Sequence, residues 1–384
     1  MKKIIVFIIM YAFAAYIYAQ DSTQTRPAQV TFFYPLGTNG INSTQYINNF
    51  SFNVLYGING GLNGVEIGGW VNSNLGHVNG LQIAGIANVN AAAANGMMVA
   101  GISNFVKDTS NSLCYAGIAN VIGGSAFGFQ TAGIVNTVNG RFLGGQVAGI
   151  SNITNGDMTG VQIAGINNVA NGNVIGGQIS GISNISKDLK GTQMALVNRA
   201  KVVNGFQMGL INIAESYEKG VPLGLFNFVK NGYHSVEFTT TEAMYGNINL
   251  KLGVDRLYTI YKAGYTVNHG ESYLSYGLGL GTKVKITDKF DLAFDGSISH
   301  IVQQSFTPRL DLLAKLDMSF RYNLGEHLTF FAGPSFNVYG SEHDPETETS
   351  AIHVPYSIYT TEWWNDQGET YFWIGMNGGV AINF

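Results

Sequence analysis

The residues best equipped for chemistry in this chain are seven histidines, one cysteine and a short acidic run. His77, His234, His269, His300, His327, His343 and His353 never pair at ligand spacing, so no zinc motif is formed. Glu342, Asp344, Glu346 and Glu348 would offer carboxylates to calcium. They lack the glycine-aspartate order of a calcium loop, and a solvated loop is the plainer reading. Gly277-Leu278-Gly279-Leu280-Gly281 is spaced like part of a nucleotide loop, but such a loop needs a helix after it, and here a strand pattern continues through Lys283, Lys285 and Ile286. Tyr359, Trp363 and Trp364 offer aromatic faces to a ligand, or equally an anchor at a membrane boundary. No Ser/His/Asp set or carboxylate pair stands at a recognisable spacing. The chain is therefore expected to be no enzyme, with no catalytic, cofactor or metal residues.

The elements that carry these residues are dominated by a repeat. Gly69, Gly85, Gly101, Gly117, Gly133, Gly149, Gly165 and Gly181 lie sixteen residues apart. Asn72, Asn88, Asn104, Asn120, Asn136, Asn152, Asn168 and Asn184 keep the same beat. The unit reads Gly-x-Gln-x-Ala-Gly-Ile-x-Asn, then a turn rich in Asn, Asp and Gly, then a short apolar return. Gln82, Gln130, Gln146, Gln162 and Gln178 form a polar column, read as a structural ladder in preference to a carbohydrate or peptide site. Cys114 stands where most units have glutamine and reads as a small filler. After Asn184 the step shortens, to Asn198, Asn212 and Asn227, as terminal units of a stack do.

Two structures generate this period. In a β-solenoid each unit is one coil, and like residues stack about 4.8 Å apart. Asparagines then form amide ladders, and a bend at the glycine turns Ile83 and Ile86 both inward. In the rival structure each unit is a hairpin of one large barrel or meander, with Leu81, Ile83 and Val89 facing lipid and Gln82, Ala84 and Asn88 facing the lumen. Only about five residues separate the turn from the next glycine, against the roughly 9–11 of a spanning strand, which favours the solenoid.

Composition narrows the class further. Charged residues make up only 11% and the net charge is -4, which points away from nucleic acid. Lys2 and Lys3 precede an apolar run from Ile4 to Ala15, and Tyr16-Ile17-Tyr18-Ala19 leads into Gln20. This is the pattern of a secretory signal cleaved after Ala19. Beyond about Tyr233, aromatic residues become dense and apolar and polar residues alternate. Examples run through 289–302, 309–323 and 370–384, where the alternation reaches Phe384. Such segments are long enough to cross a bilayer as tilted strands. Ten candidates emerge: 28–37, 46–59, 233–241, 244–253, 257–267, 271–286, 289–302, 309–323, 326–339 and 370–384. With both termini in the periplasm, the short connections fall on the periplasmic side and the long segment 340–369 falls outside the cell.

The sequence thus predicts an all-β chain in four parts: a signal peptide over 1–19, N-terminal barrel strands over 20–60, a solenoid over 61–230, and C-terminal barrel strands over 231–384. The solenoid is expected as an insertion in an antiparallel barrel of about ten strands. The layout resembles the surface-repeat outer-membrane proteins of spirochaetes and Bacteroidetes, most strongly from Gly57 to Gly232, and the terminal Phe384 resembles the C-terminal signal of Gram-negative barrels. That resemblance implies an outer-membrane location, outer-membrane lipid and the barrel-assembly machinery as partners, and a structural, adhesive or ligand-binding role for the repeats, with no ligand identified. The alternative expectation is a porin-like channel for small solutes.

Overall fold

The structure, a computed structural model, describes residues 24–268, 270–303, 310–342, 352–363 and 368–384. The proposed cleavage at Ala19 lies outside the described residues, as do His269, His343, Asp344, Glu346, Glu348 and Trp364. The chain is nearly all β: a parallel β-solenoid of about eleven turns and a closed antiparallel barrel of eight strands. It divides into two compact units, one ending at Lys201 and one running from Val202 to Phe384. Each is described by itself.

In the first unit every coil has two short strands, such as Met158–Ala164 and Asn167–Ala170. Each strand pairs in parallel with its equivalents one coil before and one coil after. Gln146 faces Gln162, and Asn152 faces Asn168. Gly165 and its equivalents form the corner between the two strands. A Cβ built on Gly133 would lie 2.2 Å from the carbonyl oxygen of Gly117, and one on Gly101 2.1 Å from that of Gly85. Close stacking of backbone on backbone is therefore what requires glycine here. A second glycine column does need an unusual backbone: Gly160 (φ 126°) has equivalents such as Gly144 (φ 140°) and Gly176 (φ 129°).

Two expectations need correcting. Ile83 and the isoleucine column do not face inward: Ile83 is 38% exposed, Ile150 42% and Ile182 50%. The inward positions flanking the corner are instead taken by Ala84, Ala87 and Asn88. The Asn88 carboxamide donates to the Val99 carbonyl beside the corner at 2.9 Å. An amide makes this bond and the bond to Asn104 in the next coil together, which isoleucine cannot. The interior thus alternates amide columns with apolar ones, with Val78, Phe142, Met158 and Val174 in one buried apolar column and Val106, Ile122 and Val138 in another.

The second correction concerns residues 20–60. Strand Gln24–Phe33 pairs in parallel with Tyr46–Asn59, and Tyr46–Asn59 pairs in parallel with the next two strands. Both therefore belong to the solenoid, which precedes the barrel instead of interrupting it. The barrel loses two of its ten expected strands and has eight.

In the second unit, coils over Val202–Val229 lead into the barrel. Its strands are β1 (Tyr233–Thr241), β2 (Gly246–Val254), β3 (Leu257–Asn268), β4 (Glu271–Lys285), β5 (Phe290–Gln303), β6 (Asp311–Leu324), β7 (Leu328–Glu342) and β8 (Gly368–Asn383). Each pairs antiparallel with its neighbour, and β1 with β8 closes the cylinder from Ser235↔Asn383 to Thr241↔Asn377. A short strand, Tyr359–Glu362, extends the sheet along the outer part of β8. The alternation seen in sequence sorts the two faces. Phe294, Ile298, Leu316 and Phe320 point outward, while Asp295, Ser297, Lys315, Asp317 and Arg321 point into the lumen.

Candidate functional site

The first unit is organised around two buried amide ladders. In one, each asparagine donates to the next: Asn72 Nδ2 to Asn88 Oδ1 at 3.0 Å, Asn88 to Asn104 at 2.8 Å, and so on through Asn120, Asn136, Asn152, Asn168 and Asn184. The second hydrogen of each carboxamide serves a corner carbonyl, as Asn136 does for Val147 at 2.8 Å. In the other ladder, glutamines donate the opposite way along the stack. Gln146 Nε2 reaches Gln130 Oε1 at 2.8 Å, Gln162 reaches Gln146 at 2.7 Å, and Gln178 reaches Gln162 at 2.8 Å. Cys114 occupies the glutamine column between Met98 and Gln130. Its thiol is wholly buried, and burial pushes its pKa up to about 12, so it is no nucleophile at neutral pH.

Glu66, in register with Gln82, is a member of this column that sequence reading missed. It is completely buried. Its Oε1 accepts from Asn53 at 2.9 Å and Asn59 at 2.6 Å, and its Oε2 from Asn74 at 2.7 Å and Gln82 at 2.8 Å. The glutamine ladder stops at Gln130, above Cys114 and Met98; below them Gln82 donates to Glu66, whose carboxyl oxygens accept from all four surrounding amides. Burial pushes the Glu66 carboxyl up to about 7, while the amide donors hold it down. The signal for it was available: Glu66 lies sixteen residues before Gln82.

The barrel lumen is crossed by ion pairs. Glu237 binds Lys251 at 2.9 Å and Arg321 at 2.6 Å. Lys251 also binds Asp295 at 2.6 Å, and Tyr258 donates to Asp295 at 2.7 Å. Arg321 reaches the Tyr233 hydroxyl at 3.2 Å. Further along, Lys262 and Lys315 lie 3.8 and 3.7 Å from Asp317. Toward the end bearing the long connection, Met244, Ile301, Leu313, Tyr339, Ile352 and Trp373 form a buried apolar cluster, and the Trp373 indole donates to Glu242 at 2.8 Å. Eight strands leave an interior just wide enough for side chains to fill, and these side chains fill it. Each lumen residue was visible as the polar half of an alternating strand, but which strands meet across the lumen was not.

The remaining candidates stay apart. Among the described residues no group of three or more His, Cys, Asp or Glu could hold a metal. Gly277, Gly279 and Gly281 lie inside β4, where Cβ atoms would meet the neighbouring strands, and form no phosphate loop. Trp363 donates its indole to Thr370 at 2.9 Å, and Tyr359 packs its ring 5.7 Å from that of Phe372. Phe384 is 68% exposed at the barrel end where β1 begins at Tyr233, with its ring 5.9 Å from His234. A shallow cavity of about 350 Å³ opens at that end, lined by Tyr233, Asp255, Lys283, Asp291 and His327 among others, and Lys283 fills part of it by pairing with Asp255 at 3.0 Å. The arrangement can hold structure and present surface. Comparisons with protein families, curated proteins and solved structures give no match.

Proposed function

We propose that this chain is a non-enzymatic outer-membrane protein of a Gram-negative envelope, in which the eight-stranded barrel is a membrane anchor and the solenoid an extended structural or binding arm. The observation that carries the reading is the inversion of the barrel: apolar and aromatic side chains outside, a closed set of ion pairs inside. A soluble barrel reverses that order, whereas a barrel in lipid requires it. The same lumen weighs against the channel alternative, since the buried Glu237–Arg321 and Glu237–Lys251 pairs reach across it.

The turns support an orientation. The connections at 255–256, 286–289 and 325–327 are short and share one end of the barrel with Tyr233 and Phe384. The other end has connections of the same lengths at 242–245 and 269–270, and it also has the two longest, 304–310 and 343–367. Short turns face the periplasm in bacterial barrels, so the arm enters the periplasm. Removing two strands from the expected ten leaves this parity unchanged. The barrel-assembly machinery, reading the strand that ends at Phe384, and outer-membrane lipid are the partners this reading names. Protease added to intact cells tests it: cleavage confined to 343–367 is expected, and cleavage within 61–230 would overturn the periplasmic arm. Steady channel openings in a planar bilayer would overturn the closed anchor.

A further inference from the structure

The barrel lumen holds two sets of charges, and only one of them balances. In the first, Glu237 pairs with Lys251 and Arg321, and Lys251 with Asp295, all at 2.6–2.9 Å. Two carboxylates there meet two cations. In the second, Lys262 of β3 and Lys315 of β6 share the single carboxylate of Asp317, at 3.8 and 3.7 Å. These are ion-pair distances, too long for hydrogen bonds. Two cations meet one carboxylate, which leaves one positive charge over. Glu242 does not supply the balance. No ion pair joins it to either lysine, and its oxygens accept from Asn337, Trp373 and the Met376 backbone amide.

Hydrogen bonding shows the same deficit. Each ammonium has three hydrogens to donate. Lys262 places one on the Ser297 hydroxyl at 3.2 Å. Lys315 is 7% exposed, and among the described residues its Nζ has no hydrogen-bond partner. A buried charge left without hydrogen bonds is strongly unfavourable. The two lysines are thus short of an acceptor and of one negative charge together.

The strands gather these groups in one place. β4 lies between Lys262 on β3 and Ser297 on β5, and its inward positions in register with them are Gly277 and Gly279. A Cβ on Gly279 would lie 2.8 Å from the Ser297 Cβ. The two glycines therefore clear the path by which Lys262 crosses β4. Along β6, Lys315 and Asp317 fall between Leu313, which belongs to the buried apolar cluster, and Arg321, which belongs to the balanced set. A ligand here is flanked on both sides along the lumen, so it is small.

We infer that Lys262 and Lys315 bind a small monovalent anion of the halide class inside the barrel lumen. Such an ion accepts hydrogen bonds, donates none, and carries the one charge that the set lacks. Water would accept the bonds and leave the charge. A divalent anion would reverse the imbalance, because Asp317 already offsets one lysine. The inference rests on the barrel fold and is independent of the medium around it.

The test uses the full chain, refolded in detergent with sodium gluconate and with sodium bromide in its place at constant ionic strength. The readout is exchange of those β6 amides that exchange only when the barrel unfolds. An ion bound to the folded state alone slows that exchange, by about tenfold for each tenfold rise in bromide once the site is filled. Lys315→Met leaves Lys262 balanced by Asp317. It should lose the bromide dependence and, in gluconate, exchange no faster than the parent. Lys285→Met removes a lysine that is 62% exposed and should keep the dependence. Crystals grown in bromide should give an anomalous difference peak between Lys262 Nζ and Lys315 Nζ. Exchange in the parent that is indifferent to bromide, or an equal response in Lys315→Met, overturns the inference. If Lys315→Met does not fold, diffraction from the parent decides alone: density at the lysines without a bromine signal overturns the inference and leaves the barrel and the membrane reading standing.

Discussion

Asn227 donates its carboxamide to the Thr259 hydroxyl at 3.0 Å, and Thr259 in turn donates to the Gly224 carbonyl at 2.8 Å. The asparagine ladder of the second unit, in which Asn212 donates to Asn227 at 2.8 Å, therefore ends on a residue of the barrel wall. A hydroxyl suits this end because it accepts from the last amide and passes its own proton to a carbonyl. Thr259 is only 3% exposed, so water does not substitute for it.

Thr259→Val keeps the shape and removes both bonds. It leaves one buried Asn227 hydrogen unpaired, while the Gly224 carbonyl keeps its bond from Asn227 at 3.0 Å, and the unpaired donor costs about 1–3 kcal/mol. The loss is local. Amide exchange should accelerate over 224–229 while the barrel strands keep their protection, and unchanged exchange over 224–229 would show that the cap is not needed.

Glu66→Gln should destabilise the first coils. The variant keeps one accepting oxygen where Asn53, Asn59, Asn74 and Gln82 present four donors. The expected loss is about 1–3 kcal/mol, read as faster amide exchange over 46–90.

Glu66 also fixes the sign of a pH effect. Its carboxyl is raised from 4.5 to about 7 in the folded chain. The unfolded chain releases its proton first, so this group's contribution to stability is fully present below about pH 4.5, falls as pH rises through about 7, and is constant above that. The change amounts to at most about 3 kcal/mol. Amide exchange of the first coils measured from pH 4 to 8, corrected for intrinsic rates, should show that slope in the parent chain and lack it in Glu66→Gln.

The corner glycines are distinguishable from glycines that merely fill space. Gly133→Ala drives a methyl to 2.2 Å from the Gly117 carbonyl oxygen, where only backbone movement makes room. It should cost about 1–3 kcal/mol or more. Gly177→Ala meets nothing nearer than 4.0 Å and should change stability by no more than about 0.5 kcal/mol. Comparing the two by denaturant titration of the solenoid signal checks the distinction, and equal losses would contradict it.

Lys251→Met should destabilise the barrel by about 3–5 kcal/mol, because Asp295 loses its cation and Glu237 keeps only Arg321. The readout is the temperature at which the compact gel band converts to the extended one. Planar-bilayer current should stay absent, since the methionine side chain still occupies the lumen.

Period and alternation made most of the fold legible. A parallel stack copies each coil onto the next by translation, so the columns at Gly133 and Asn136 appear in the sequence as arithmetic. Direction was harder to read. The Ala84-Gly85-Ile86 corner breaks the two-residue beat, and the beat alone could not say that Ile86 turns outward while Asn88 turns in. Alternation over 46–59 gave a strand but not the sense of its pairing, and a parallel partner was read as an antiparallel one. Glu66 hid for a different reason: one carboxylate in a column of amides is informative only once the donors on every side are known. The lumen pairs depend on contacts between residues as far apart as Glu237 and Arg321, which no local pattern records.

Translational stacking has a further consequence for how reach is set. Between Gly117 and Gly165 each sixteen-residue unit meets two near-identical neighbours, and the specialised residue of the first unit, Glu66, lies outside that stretch. Duplicating or deleting one unit there changes the span by one strand spacing, about 4.8 Å, without altering any contact elsewhere. The arm behaves as a graduated ruler whose length is written in the number of sixteen-residue units.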